Sequence, residues 1–131
     1  NSIIPLNLSG CMELFSHVGN QTDRYTNLCF MIFVTSAAEY NYEDYFGNII
    51  NIDARIKNDE LLIHFKSCSN YPVLLMIKNR AHMTYIDNTG CSIPQSYNLK
   101  DSESDAYAIR NNDVMIKLHP GRKIIHFGRM H

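Results

Sequence analysis

The chain has 131 residues, 45% of them apolar, and a formal net charge of −1 from 12 basic and 13 acidic side chains. That length predicts one domain with a core of its own, and the balanced charge excludes a reader of nucleic acid or anionic membrane, which needs a basic excess. No run of about 18 apolar residues is present, so no membrane insertion is expected.

In chain order, residues 1–10 place Ile3, Ile4, Leu6 and Leu8 around Pro5. This suits an N-terminal arm or an edge strand, because proline donates nothing to an inner ladder. Ser16 to Asn27 is rich in turn residues and reads as a solvated loop. Leu28 to Thr35 is apolar on both faces, the pattern of a strand covered on both sides. Ser36-Ala37-Ala38-Glu39 has the form of a capping box and predicts one helical turn. Tyr40 to Gly47 then mixes four aromatic residues with acids. From Asn48 onward, Ile50, Ile52, Ala54 and Ile56 alternate with Asn51, Asp53 and Arg55. Beyond a turn at Lys57-Asn58-Asp59, Leu61, Ile63 and Phe65 alternate with Leu62, His64 and Lys66. A period of two on both sides of a turn predicts a hairpin with one buried and one wet face.

The stretch from Cys68 to Cys91 encloses two short runs, Val73 to Ile77 and His82 to Ile86, before the turn Asp87-Asn88-Thr89-Gly90. It reads as two strands tied at their outer ends by a disulfide. Ser92 to Asp105, with its acidic run from Asp101, reads as solvated loop. Ala106 to Ile109, Val114 to Leu118 and Lys123 to Phe127 read as strands, with a turn at His119-Pro120-Gly121-Arg122 before the last. About eight short strands with little helical periodicity predict an all-β fold, an antiparallel two-sheet sandwich forming a single domain over residues 1–131.

The four cysteines, Cys11, Cys29, Cys68 and Cys91, are widely spaced, unlike the close pairs of zinc or redox motifs. They predict two disulfides. Three pairings are open, and Cys11–Cys29 with Cys68–Cys91 is favoured because each closes a local loop; four reduced thiols are the alternative in a reducing compartment. Sequons at Asn7 and Asn20 offer N-glycan attachment and agree with an extracellular chain, secreted or the ectodomain of a membrane protein.

The order of these features resembles a CUB domain, an extracellular sandwich with two local disulfides. Tyr25-Thr26-Asn27-Leu28-Cys29-Phe30-Met31-Ile32 resembles the family's turn, second cysteine and strand start, with Phe30 where tryptophan is usual. Leu74 to Asn79 followed by Gly90-Cys91-Ser92-Ile93-Pro94 is similar to the strand after the third cysteine and the fourth cysteine with its proline. Asn112 to Phe127 looks like the closing hairpin. The stretch from Cys29 to Cys68 is longer than usual, so the resemblance makes the tyrosine-rich segment an insertion. A subset of the family binds calcium partly through an acid shortly after the third cysteine; Ser69 to Val73 supplies none, so that site is not carried over.

Catalytic signatures are absent from the sequence: no G-x-S-x-G elbow, no phosphate loop, and no ligand spacing among His17, His64, His82, His119, His126 and His131. No cofactor or metal is therefore expected. Tyr40, Tyr42, Glu43, Asp44, Tyr45 and Phe46 are the candidate partner-binding residues, since tyrosine supplies rigid amphipathic contact area and the flanking acids favour a basic protein surface. A protein-interaction module is thus the leading expectation. The alternatives are a carbohydrate-binding module or lectin, weakened by the absence of tryptophan, and a metal-dependent enzyme built from scattered histidines and acids.

Overall fold

A computed structural model of the chain describes residues 1–7, 28–44, 46–80 and 85–128. The fold is an all-β sandwich of two sheets. Its strands are β1 (Ser2–Asn7), β2 (Leu28–Phe33), β3 (Ala37–Glu43), β4 (Ile49–Lys57), β5 (Glu60–Ser67), β6 (Val73–Ile77), β7 (Tyr85–Asn88), β8 (Cys91–Ser92), β9 (Ala106–Arg110), β10 (Asp113–Leu118) and β11 (Gly121–Gly128). One sheet runs β1-β2-β6-β10-β9 and the other β3-β4-β5-β11-β7-β8.

The hairpin expected from Asn48 to Lys66 is β4 and β5, paired from Ile50↔Ser67 to Lys57↔Glu60. Asn58 and Asp59 both take positive φ, 53° and 62°, the backbone of a two-residue turn whose twist matches that of the strands. Ile50, Ile52, Ala54, Leu61, Ile63 and Phe65 are buried, as the alternation requires. They meet Phe30, Leu75, Ile116 and Phe127 from neighbouring and facing strands in one core. Truncating a fully buried Phe30, Phe65 or Phe127 to alanine costs about 3–5 kcal/mol at such a site.

The doubly apolar strand predicted at Leu28 is β2, buried on both faces. Its partner β6 lies parallel to it, from Cys29↔Leu74 to Ile32↔Ile77, whereas the other described strand pairs are antiparallel. A parallel neighbour requires a crossover. The chain makes it through β3, β4 and β5 in the other sheet. The outer side of β6 and β10 is sealed by a second cluster of Cys29, Leu74, Leu99, Ala106 and Met115. Leu99 belongs to a single 3-10 turn, Leu99–Asp101. The buried Lys117 ammonium holds that turn in place by donating to the carbonyls of Leu99 (2.9 Å) and Ser102 (2.9 Å). The stretch read as solvated loop is therefore part of the wall of the sandwich.

Several expectations are corrected. Ser36 to Glu39 forms no helical turn: β3 begins at Ala37, because Ala38, Tyr40 and Tyr42 alternate inward against the core. The strands enclosed by Cys68 and Cys91 do not pair, since β6 and β7 lie in opposite sheets. The closing hairpin is likewise split, with β10 in the first sheet and β11 in the second, so His119-Pro120 is a crossing between layers.

The expected disulfides are not formed among the described residues, where Cys29, Cys68 and Cys91 are all free. Cys68 follows β5 and Cys91 lies in β8, with β11 and β7 between them. Three strand spacings are about 14 Å, beyond the roughly 7 Å that a disulfide tolerates. Cys29 is buried under Leu99 and Met115, where desolvation pushes its thiol up to about 12 despite a hydrogen bond with the Met76 backbone. Cys11, Asn20, His17, His82, His131 and the Ser16 to Asn27 loop lie outside the described residues.

Candidate functional site

The tyrosine-rich segment is edge strand β3 and the loop after it. Tyr40 and Tyr42 are half-buried and meet the ring of Phe30 at centroid distances of 6.2 and 5.5 Å, which leaves Glu39, Asn41 and Glu43 as its exposed face. Asp44 is buried. It accepts the backbone N–H of Phe46 (2.8 Å) and of Asn48 (2.8 Å), the Asn48 amide (2.9 Å) and the Tyr71 hydroxyl (2.7 Å). Burial works against the charged carboxylate, but the Tyr71 and Asn48 hydrogen bonds outweigh it and hold Asp44 below its usual value. Burial and the same bond to Asp44 push the Tyr71 phenol up. Of the six residues expected to bind a partner, Glu43 and Phe46 remain on the surface, Phe46 at 62% exposure, and Tyr45 lies outside the described residues.

A different constellation lies where the chain passes between the sheets. Asp105, just before β9, accepts the His119 backbone N–H (2.8 Å) and faces the His119 ring Nδ1 (3.0 Å) with one carboxylate oxygen. Its other oxygen accepts from the Lys123 ammonium. Burial raises this carboxyl, but the Lys123 and His119 bonds prevail and keep it below the ordinary carboxylate range. The group is thus a fixed anion. It orients His119 and Lys123 along a cleft of about 520 Å³ that Glu103, Ser92, Ile93 and Pro94 also line. Glu103 and Ser92 are exposed, whereas Ile93 is buried beneath them. The arrangement offers hydrogen-bond donors and acceptors over an apolar base. A carboxyl held ionised has no proton to donate, so Asp105 acts as an acceptor and a positioning group.

Sequence reasoning left Asp105 in a solvated run and His119 in a turn. The one local hint was His119-Pro120-Gly121, a turn signal between two strands; nothing in the sequence joined it to Asp105. His126 is also engaged, with Glu60 at Nε2 and Asp87 at Nδ1 (3.4 Å). Its bond to Glu60 is the main cause of a raised imidazole pKa, partly offset by desolvation. Among the described residues no three His, Cys, Asp or Glu side chains converge as metal ligands.

No family model matches the sequence, and no curated protein matches it. Solved structures do share its fold. A cycloalternan-forming enzyme from Listeria monocytogenes, in complex with a pentasaccharide substrate, superposes with a TM-score of 0.77 at 18% identity over 97% of this chain. An uncharacterized protein from Listeria monocytogenes EGD-e, bound to α-D-glucose, β-D-glucose, magnesium and calcium, gives the same values. A GH31 dextranase from Flavobacterium johnsoniae, complexed with glucose, gives 0.72 at 14% identity over 98% of this chain. The present chain spans 13% of the Listeria chains and 19% of the dextranase.

Proposed function

We propose that this sandwich is a carbohydrate-binding accessory domain, and that the Asp105–His119–Lys123 cleft is where it meets sugar. The observation that carries the reading is the likeness over nearly the whole chain to a small part of a cycloalternan-forming enzyme and of a dextranase, 13% of one and 19% of the other. The cleft chemistry agrees with it. A pyranose presents hydroxyls that both donate and accept, and an apolar face. Glu103, His119 and Lys123 supply the polar complement, and Ile93 with Pro94 the apolar one. The absence of tryptophan removes the usual stacking platform, so affinity rests on hydrogen bonds and is modest.

The test is isothermal titration of the whole chain with isomaltotriose and with dextran. Saturable binding is expected, weakened about tenfold by Glu103→Ala, the loss of about 1.4 kcal/mol that removing one charged hydrogen bond brings. No heat with either ligand overturns the proposal.

A protein partner at β3 remains a second reading, supported by exposed Phe46 beside the acidic face of Glu39 and Glu43. Extracellular placement belongs to the same proposal; with the Cys68–Cys91 bond removed, the sequons at Asn7 and Asn20 are its support.

A further inference from the structure

Charges on the outward face of the six-stranded sheet are matched at several places: Arg55 bonds Asp53 on β4, and Glu60 of β5 engages His126 of β11. One patch on β5 and β11 departs from this, carrying His64, Lys66 and Arg122 together. Lys66 stands directly opposite Arg122, and Asn51 directly opposite Lys66 on its other side. His64 is two residues along β5, so its side chain shares that face. Like charges directly across a ladder destabilise a sheet, and a surface sheet ordinarily relieves them with an acid. Asp53 stands opposite His64 in register but is held by Arg55 (3.0 Å), Asp105 takes Lys123, and among the described residues Lys66 and Arg122 have no ion pair. These side chains border a groove of about 390 Å³ that Asn51 and Ile124 also line, and among the described residues its lining contains no acid.

An uncompensated like-charge pair in a groove breaks a local stability rule, and such breaks concentrate at functional sites. We propose that this groove binds the anionic substituent of a carbohydrate chain: a sulfate, phosphate or uronate carboxylate. Arg122 supplies the planar fork that matches two oxyanion oxygens, Lys66 a point charge beside it, and His64 and Asn51 donors to neighbouring hydroxyls. The inference rests on the accessory-domain reading for the ligand's sugar backbone, and adds to it a second site and a charge requirement. The groove is distinct from the cleft: Lys123 borders both, but its ammonium is committed to Asp105 on the cleft side.

The experiment titrates the whole chain with dextran sulfate and with unsubstituted dextran of equal length, at constant ionic strength. Dextran sulfate is expected to bind about tenfold tighter. The Lys66→Ser/Arg122→Ser variant is expected to lose that advantage, about 1.4 kcal/mol, while its dextran affinity and thermal midpoint stay unchanged. Lys57→Ser, which removes an exposed cation at the β4–β5 turn, is the control for net charge and is expected to change nothing. Equal affinity for the two polymers overturns the inference, as does an equal loss in Lys57→Ser. Full displacement by sodium sulfate at the polymer's own sulfate concentration overturns it too, since the ligand would then be a free oxyanion. Dextran binding without a sulfate preference leaves the accessory-domain reading standing, and absence of binding to both polymers removes both.

Discussion

Replacing Asp44 tests whether this acidic residue is an anchor of the fold or a contact for a partner. Its carboxylate accepts four hydrogen bonds, two from backbone N–H groups, one from an amide and one from the buried Tyr71 phenol. Hydrogen bonds to a charged group contribute about 1.5–3 kcal/mol each, and those sharing one acceptor do not add in full. Asp44→Ala is therefore expected to cost about 3–5 kcal/mol, a large share of the roughly 5–15 kcal/mol that holds a domain together. In a domain of this size that lowers the thermal midpoint by on the order of 12–20 °C. Tyr71→Phe removes one donor and is expected to cost about 1–1.5 kcal/mol. The pH dependence has a definite sign. The folded carboxyl lies below its unfolded value, so its contribution is present above the unfolded pKa near 4 and is lost as pH falls through the folded one. Urea denaturation at pH 7 and at pH 3 measures both effects. A loss under about 1 kcal/mol at pH 7 for Asp44→Ala, or a loss that grows on acidification, would refute this account of the loop.

Three further outcomes are expected. Under native, non-reducing conditions Cys68 and Cys91 are alkylated by iodoacetamide, while Cys29 reacts after denaturation; a peptide map with a Cys68–Cys91 bond contradicts the strand order. Lys117→Met leaves the carbonyls of Leu99 and Ser102 without their donor and costs about 2–4 kcal/mol by chemical denaturation, whereas an unchanged midpoint would mean that the 3-10 turn holds itself. His126 titrates above the ordinary imidazole value near 6.5 in an NMR series, and Glu60→Gln brings it back down. Because the folded pKa is raised, the stability difference between Glu60→Gln and the parent is present below the unfolded pKa and disappears as pH rises through the folded one.

Elements that depend on local alternation were legible. The β4–β5 hairpin, its Asn58-Asp59 turn and the burial of β2 on both faces follow from period-two patterning and turn chemistry, which act between near neighbours. What required distant partners was not. Cys68 and Cys91 look like a tie because the sequence between them is short and strand-rich, yet the chain sends β6 to one sheet and β7 to the other. Lys117 alternates with Ile116 and Leu118 as any solvent-facing residue does. Only the fold reveals that Leu99 and its turn lie over it, so that a lysine is buried by chain arriving from elsewhere. Tyr40 and Tyr42 carried two signals: their spacing of two marked a strand with an inward face, which β3 has, while their chemistry pointed to an interface.

The two candidate sites differ in their relation to stability, and this makes them separable. Asp105 precedes β9 and His119 follows β10 in one sheet, while Lys123 lies in β11 of the other, so their mutual bonds bridge the layers at the crossing. Any substitution that breaks this triad alters the cleft and loosens the seam together, so lost sugar binding comes with a lower midpoint. Glu103, exposed beside it, can be removed without that penalty. Lys66 and Arg122 project from two inner strands of one sheet, near their ends, and among the described residues neither bonds across the layers. Removing both relieves a like-charge pair, so the domain is at least as stable without them. An Asp105→Asn variant weak in both binding and stability, set beside a Lys66→Ser/Arg122→Ser variant weak only in binding anionic sugar, is the signature of one site built into the seam and another laid on the face.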